Sequence, residues 1–256
     1  MAKTGNNLIG EPLEKFVYDE FKNRQTNQYS GLDKNNLRSP HQQQYLNNTN
    51  GWVKLASSVE VGVDNKDTES NEKILGTQRL QNVGLNPSNF LGNQLSKKFI
   101  IFNGVSELGK PNIRAGISNN KNLWNDKSTY GLGGTEFGIQ PMPGIQSISV
   151  KSLNRGSIRR ATIELKAYNK FQFEIIELLY LRIGYHVMLE WGNDKYYNPS
   201  SSSTENINNT IIEDSWFKQD NVTQLEMIRK INDYRETYSG NYDGFFGRVV
   251  NFNWSF

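Results

Sequence analysis

Cysteine is absent from this chain, and with it any disulfide framework, thiol nucleophile or cysteine-ligated metal. That absence fits assembly in a reducing cytoplasm. Histidine is almost as scarce: with only His41 and His186, a metal centre would need both to converge with carboxylates, and no HExxH or comparable spacing occurs. No GxSxG elbow supplies a nucleophile for a serine triad. The glycines of "YGLGGTEFG" lack the Lys-Ser/Thr of a phosphate loop and its strand-to-helix setting, so they read as hinge or close-packing residues. Long apolar runs are missing too. No stretch approaches the ~20 residues of a membrane span, and "MAKTGNNLIGEP" has no apolar core like that of a signal peptide.

Charge of one sign is also lacking. Lys and Arg total 29 against 26 Asp and Glu, a net of +3, and no basic run dominates a segment. A nucleic-acid binder usually concentrates positive charge on a stripe or patch, so specific nucleic-acid binding is not expected. Only 36% of the 256 residues are hydrophobic and the mean hydropathy is −0.68, so much of the chain must be surface, loop or intersubunit contact. The length still suffices for one large domain or two small ones. Asparagine is over-used, often in pairs such as Asn35-Asn36, Asn119-Asn120 and Asn208-Asn209. A turn-rich structural protein accounts for this, and so does codon bias in an AT-rich genome.

Three regions follow from the pattern: an N-terminal helix and polar arm over 1–50, a strand and helix segment over 51–144, and a domain over 145–256 with a polar insertion at 193–215. Pro12, with Leu13, Phe16, Val17 and Phe21 at helical spacing, marks a short amphipathic helix ending near Arg24. The polar tether after it suits an arm that reaches a neighbouring subunit, or a helix packed on its own domain. "GWVKLASSVEVGV" alternates as a strand through Val53, Leu55, Val59, Val61 and Val63. "KDTESNEKILGTQRLQNVG" reads as a helix and "KKFIIFNGV" as a buried strand. The pattern dissolves from Asn119 to Gly144, a loop long enough to be functional or held by a partner.

The C-terminal region is the most structured. "GIQSISVKSL" and "SIRRATIELKA" each alternate with a period of two, separated by the turn residues Asn154-Arg155-Gly156, which predicts a hairpin. From Lys170 to Ile183 the polar stripe Lys170, Glu174 and Glu177 is narrow, predicting a helix covered on two sides and closed by Gly184. "YHVMLEW" resumes an extended run. The segment from Asn193 to Thr210, with four serines at Ser200–Ser203, reads as a flexible insertion that the fold can spare. Asp220 or Asn221 then caps a helix carrying Met227, Ile228, Ile231, Tyr234 and Tyr238, supported by Glu226 and Lys230 and closed by Gly240. A last strand places Val250, Phe252, Trp254 and Phe256 on one face. Because the chain stops in mid-alternation, either it continues past Phe256 in nature or a neighbouring copy pairs this edge.

The order of strand, helix ending in Gly, strand ending near Gly, then aromatic-Gly-x-Val strand resembles the tube-fold barrel of tail hub and baseplate hub proteins of tailed phages and of type VI secretion spikes. The residues that carry it are Ala161 to Ala167, Phe171 to Gly184, Tyr185 to Gly192, and Phe246, Gly247, Val249, Asn251, Phe252 and Trp254. The phrases "PMPGIQSISVKS", "SIRRATIELKAYN" and "YLRIGYHVMLEWG" likewise resemble those of phage structural proteins. The likeness covers roughly the last 110 residues, a single-domain length.

It implies an α+β, mainly β fold: an antiparallel β-barrel or sandwich with packed helices and an extended N-terminal arm. The implied role is a structural virion protein of the tail or baseplate hub, assembled in the host cytoplasm. Its partners would be copies of itself in a ring and neighbouring tail or baseplate proteins. Packing and interface residues would be Phe171, Ile175, Leu178, Leu179, Ile183, Trp191, Phe252 and Trp254. No catalytic, cofactor or metal residue is expected.

Two other classes remain open. Loop aromatics Trp124, Tyr130, Tyr196 and Tyr197 suit a carbohydrate-binding receptor module, although such residues also anchor protein interfaces. Glu190 beside Trp191 would suit a glycan hydrolase, against the plainer expectation of a cross-strand ion pair with a residue such as Arg248. His186 reads as a hydrogen-bonded structural histidine.

Overall fold

A computed structural model describes residues 49–62, 74–75, 77–104, 143–153, 158–198, 200–207, 209–217 and 223–255, with Tyr18, His41 and Asn47. The expected N-terminal helix, nearly all of the loop from Asn119 to Gly144, the turn at 154–156 and Phe256 lie outside the described residues.

The first strand is β1 (Gly51–Ser57); short strands β2 (Glu60–Val61) and β3 (Ile74–Leu75) follow. Next come α1 (Thr77–Asn82), α2 (Gln94–Lys98), β4 (Ile101–Gly104), β5 (Gly144–Leu153), β6 (Ile158–Lys166) and α3 (Lys170–Leu179). The chain continues through β7 (His186–Asn193), β8 (Lys195–Asn198), β9 (Ser203–Asn206), a π-helical turn at Ile212–Trp216, α4 (Gln224–Thr237) and β10 (Tyr242–Arg248). The class is α+β with mostly antiparallel pairing, and the described strands close no barrel. A four-stranded sheet runs β10-β7-β1-β4, while β5-β6 and β8-β9 form separate two-stranded sheets.

β1 and β7 lie in the middle of the four-stranded sheet and are covered on both faces, which explains their nearly continuous apolar sequences. Leu55 and Leu189 point to one core with Phe99, Ile101 and the α3 residues Ile175, Ile176, Leu178 and Leu179. Trp52, Ala56 and Met188 point to a second core with Tyr196, Ile207, Ile211, Trp216, Met227, Ile231 and Tyr242. β1 ends at Ser57 and does not continue through Val59 and Val61; Val63 lies outside the described residues. Ser57 Oγ accepts from Val59 N at 3.2 Å, and the chain leaves the sheet for β2, which pairs in parallel with β3.

The expected β5-β6 hairpin is present, antiparallel from Leu153 opposite Ile158 to Gly144 opposite Lys166. Its inner face, Ile148, Val150, Ala161, Ile163 and Leu165, packs against the first core and is only partly buried. The hairpin adjoins β4, where Asn103 Nδ2 donates to Ile145 O at 2.8 Å.

Several boundaries differ from the sequence reading. α3 is capped by Asn169, whose Oδ1 accepts from Gln172 N at 2.7 Å, and it ends at Leu179 rather than Ile183. The stop comes from Tyr180, whose buried hydroxyl donates to Leu55 O at 3.1 Å or to Phe99 O at 2.8 Å and so tethers the chain to the sheet. Ile183 is therefore 70% exposed, and Gly184, at φ +89°, serves a later turn instead of the helix cap. Thr223, not Asp220 or Asn221, caps α4 in a reciprocal box with Glu226. Lys230 turns away from Glu226 toward Ser215 Oγ at 2.7 Å and Asp214 at 3.6 Å. Lys97 and Lys98 belong to α2, so the strand after them starts only at Ile101. Gly192 lies within β7, where a Cβ would strike Asn241 O across the ladder.

The insertion is the largest departure. Asn193–Thr210 holds an ordered hairpin whose Tyr196 and the following Ile207 are buried in the second core, and Tyr196 lies edge-on to Tyr238 at 5.1 Å. The expected aromatic strand at the C-terminus is also displaced: the ladder occupies Tyr242–Arg248, and residues 249–255 lie outside any named strand. Among the described residues no helix is long and apolar enough to cross a membrane.

Two outcomes follow from this packing. Fully burying a Leu or Ile side chain contributes ~1.5–3 kcal/mol, so Leu179→Asp should abolish soluble folded protein, whereas Ile183→Asp should keep the wild-type urea midpoint. Replacing 194–206 with a short Gly-Ser link should lower the thermal midpoint measured by circular dichroism, because it strips Tyr196 from Tyr238 and uncovers the second core.

Candidate functional site

A groove of about 2130 Å³ runs along the open side of the sheet. One wall is β6, with Ala161, Ile163 and Leu165, and the other is β10 with residues 249–255; Phe173, Ile176 and Tyr180 of α3 line it as well. Among the described residues, β6 has a ladder partner only in β5, and β10 only in β7, which leaves the groove between them. Its volume exceeds the roughly 300–1,000 Å³ of small-molecule sites.

One ionic clamp spans the gap. Arg159 of β6 reaches Asp243 of β10 at 3.2 Å, and Arg235 of α4 reaches the same carboxylate at 3.3 Å. Arg159 also donates to Gly244 O at 3.4 Å, and Gly244 N donates to Asp243 Oδ1 at 2.8 Å. The β10 edge is therefore capped at Gly244 by side chains, a common way of blunting an exposed strand edge.

The mouth of the groove is apolar. Trp254, 57% exposed, lies edge-on to Phe173 at 6.1 Å and stacks on Phe252 at 5.9 Å; Val250 beside them is 73% exposed. At the hairpin end of the groove Leu153 and Ile158 are exposed as well.

The structure thus divides the residues singled out from sequence. Phe252 and Trp254 come together at the groove mouth, and Trp191 packs edge-on to Phe245 at 6.1 Å, partly buried. Phe171 is half-buried on α3, Ile175, Leu178 and Leu179 are sealed in the first core, and Ile183 stands apart in solvent. Of the loop aromatics, Tyr196 is buried, which removes it from any open sugar platform.

Glu190 takes a different role from the expected pairing with Arg248, whose Nε donates to His186 Nε2 at 3.0 Å. Glu190 is fully buried on the second-core side of β7. Its Oε2 accepts from Ile211 N at 3.0 Å, Ile212 N at 3.4 Å and Tyr242 Oη at 3.1 Å. Lys54, itself buried, stands opposite it in the ladder, with its ammonium 5.5 Å from the Trp52 ring. Oε1 and the Thr210 hydroxyl have no hydrogen-bond partner.

Burial pushes the Glu190 carboxyl up to about 7, against the opposing pull of Lys54 and its hydrogen-bond donors. Burial and the Glu190 charge together drive the Tyr242 hydroxyl far above its ordinary range. A carboxyl near neutrality could serve as a general acid, but Glu190 does not line the groove, and its bonds bind β7 to the chain after β9. Sequence reasoning noticed Glu190 and missed Lys54. The available signal was two opposite charges, each set inside an otherwise apolar strand.

Among the described residues no group of three His, Cys, Asp or Glu side chains is placed to hold a metal ion. Comparison with protein-family models, with curated proteins and with solved structures finds no match for this chain.

The raised Glu190 pKa has a definite sign in stability. Between about 4.5, the ordinary value, and about 7 the folded state binds more protons than the unfolded state, so stability falls as pH rises through that window. The full effect is on the order of 3 kcal/mol. Urea titrations at pH 5 and pH 7.5 should show the wild type less stable at the higher pH, and Glu190→Gln should flatten that difference.

Proposed function

We propose that this protein is a structural component of a phage tail, in the baseplate or tail hub, that assembles with copies of itself into a ring. Its work is assembly rather than catalysis. In this reading the strands β10-β7-β1-β4, continued across the β4-β5 junction by β5-β6, are a tube-type barrel opened between β6 and β10, and contacts between neighbouring copies complete it.

The observation that supports the reading best is the incomplete hairpin. Ala161, Ile163 and Leu165 form an apolar face that the chain itself covers only partly, along a groove too large for a small ligand. The hairpin adjoins β4 and rests on the first core, yet its apolar face stays only partly buried, so a further surface would gain by covering it. Exposed Leu153, Ile158, Val250 and Trp254 extend the apolar rim around the same groove. Rims of this kind mark contacts between proteins. The ring, once formed, would belong to the virion, with further tail or baseplate proteins docked on it and with assembly taking place in the host cytoplasm.

Negative-stain electron microscopy of the purified full chain, with mass photometry across a concentration series, tests the proposal. Rings built from the 29.3 kDa chain are expected. A monomer at every concentration would remove the hub reading, and turnover of cell-wall glycan by that monomer would replace it with an enzyme.

A further inference from the structure

Among the described residues no strand lies between β6 and β10, and the same molecule carries a strand-like segment that pairs with no sheet. Residues 249–255 alternate Val250, Phe252 and Trp254 with Asn251, Asn253 and Ser255, the period of an extended chain with one buried face. Yet Val250 and Trp254 are mostly exposed, and none of these residues belongs to a named strand. On the other side, β6 and β10 are both terminal strands in their sheets and flank one groove. Asn241 O accepts from Asn193 N at 2.9 Å, and Val249 N donates to Tyr185 O at 2.9 Å. By the alternation of an antiparallel ladder, Phe246 and Arg248 therefore direct their backbone groups away from β7.

The segment already lines one wall of its own groove, so it cannot also enter that groove as an added strand. It runs straight on from β10 without a turn: Val249 still bonds to Tyr185 and Gly184, and Trp254 rests on Phe173 of α3. A strand can pair with its own continuation only through a reversal, and residues 249–255 contain none. Another copy of the chain has no such constraint.

Resting on the assembly reading above, we infer that the segment 249–255 of one copy inserts as an added strand between β6 and β10 of the next. Val250, Phe252 and Trp254 would turn inward onto Ala161, Ile163 and Leu165, and Asn251 and Asn253 would lie on the outer face with Thr162 and Glu164. The added backbone supplies partners to terminal strand edges while its alternate side chains fill the groove, the established logic of strand addition. Because the segment of one copy enters the groove of the next while that copy's own segment passes onward, the contact is head-to-tail, the kind that generates a ring when the rotation closes.

The absence of native cysteine makes the test direct. One tagged population of the full chain carries Thr162→Cys; a second, differently tagged, carries Asn251→Cys or Asn253→Cys. Mixed, allowed to assemble and oxidised, they are expected to give a disulfide-linked species bearing both tags, with either single variant alone giving little. Trp254→Glu is expected to shift the protein to monomer in mass photometry while its far-ultraviolet circular dichroism spectrum stays that of the wild type. Oligomers without the mixed-tag link for either pair would overturn the strand insertion and leave the assembly reading standing. A chain monomeric at all concentrations would overturn both.

Discussion

Strand β7 is the element on which the rest of this structure depends. It is hydrogen-bonded to β1 along one edge and to β10 along the other, and each of its faces supports a separate core. Leu189 is held under α3, and Met188 lies on the opposite side among the aromatic residues of the second core. A strand so enclosed has no solvent face on which to place a charge. Burial therefore pushes the Glu190 carboxyl toward its neutral form, while Lys54, backbone N–H groups and a tyrosine hydroxyl around it pull the other way. That arrangement also places the turn at Ile211 and Ile212, whose amides are donors to the buried carboxyl group.

The groove is the counterpart of this closure. Four strands satisfy one another around β7, and the β5-β6 hairpin is left joined to them at the β4 side and held at the other by the Arg159–Asp243 clamp. The pair is partly buried, and ion pairs near a protein surface typically contribute only about 0–1 kcal/mol. The clamp can set the position of β6 but cannot supply the missing burial of its apolar face. Association costs at least about 4 kcal/mol, so no single half-buried side chain recovers it. An extended surface covering Ala161, Ile163, Leu165 and the rim together can.

Much of the local structure was legible in the residues. Period-two alternation located β5, β6 and β7, and the narrow polar stripe located α3, because both patterns record how a segment meets its immediate environment. Glu190 stood out as a charge inside an apolar run. The expectation of a spare insertion failed because composition hides a few well-placed residues: Tyr196 and Ile207 are enough to anchor a segment that is otherwise Ser, Asn and Thr.

The sequence by itself determined the broad α+β class, the positions of β5, β6 and β7, the presence of α3 and α4, and the absence of thiol chemistry. Those properties depend on residue identity and on neighbours close in the chain. Tertiary structure decided where α3 stops, since Tyr180 bonds to carbonyls of β1 and the segment before β4, far away in sequence. It also decided that Lys54 meets Glu190 and that β6 faces β10 across a gap. Register and sheet order are set by long-range packing, and the local pattern that makes a residue a strand residue carries no record of which strand will lie beside it.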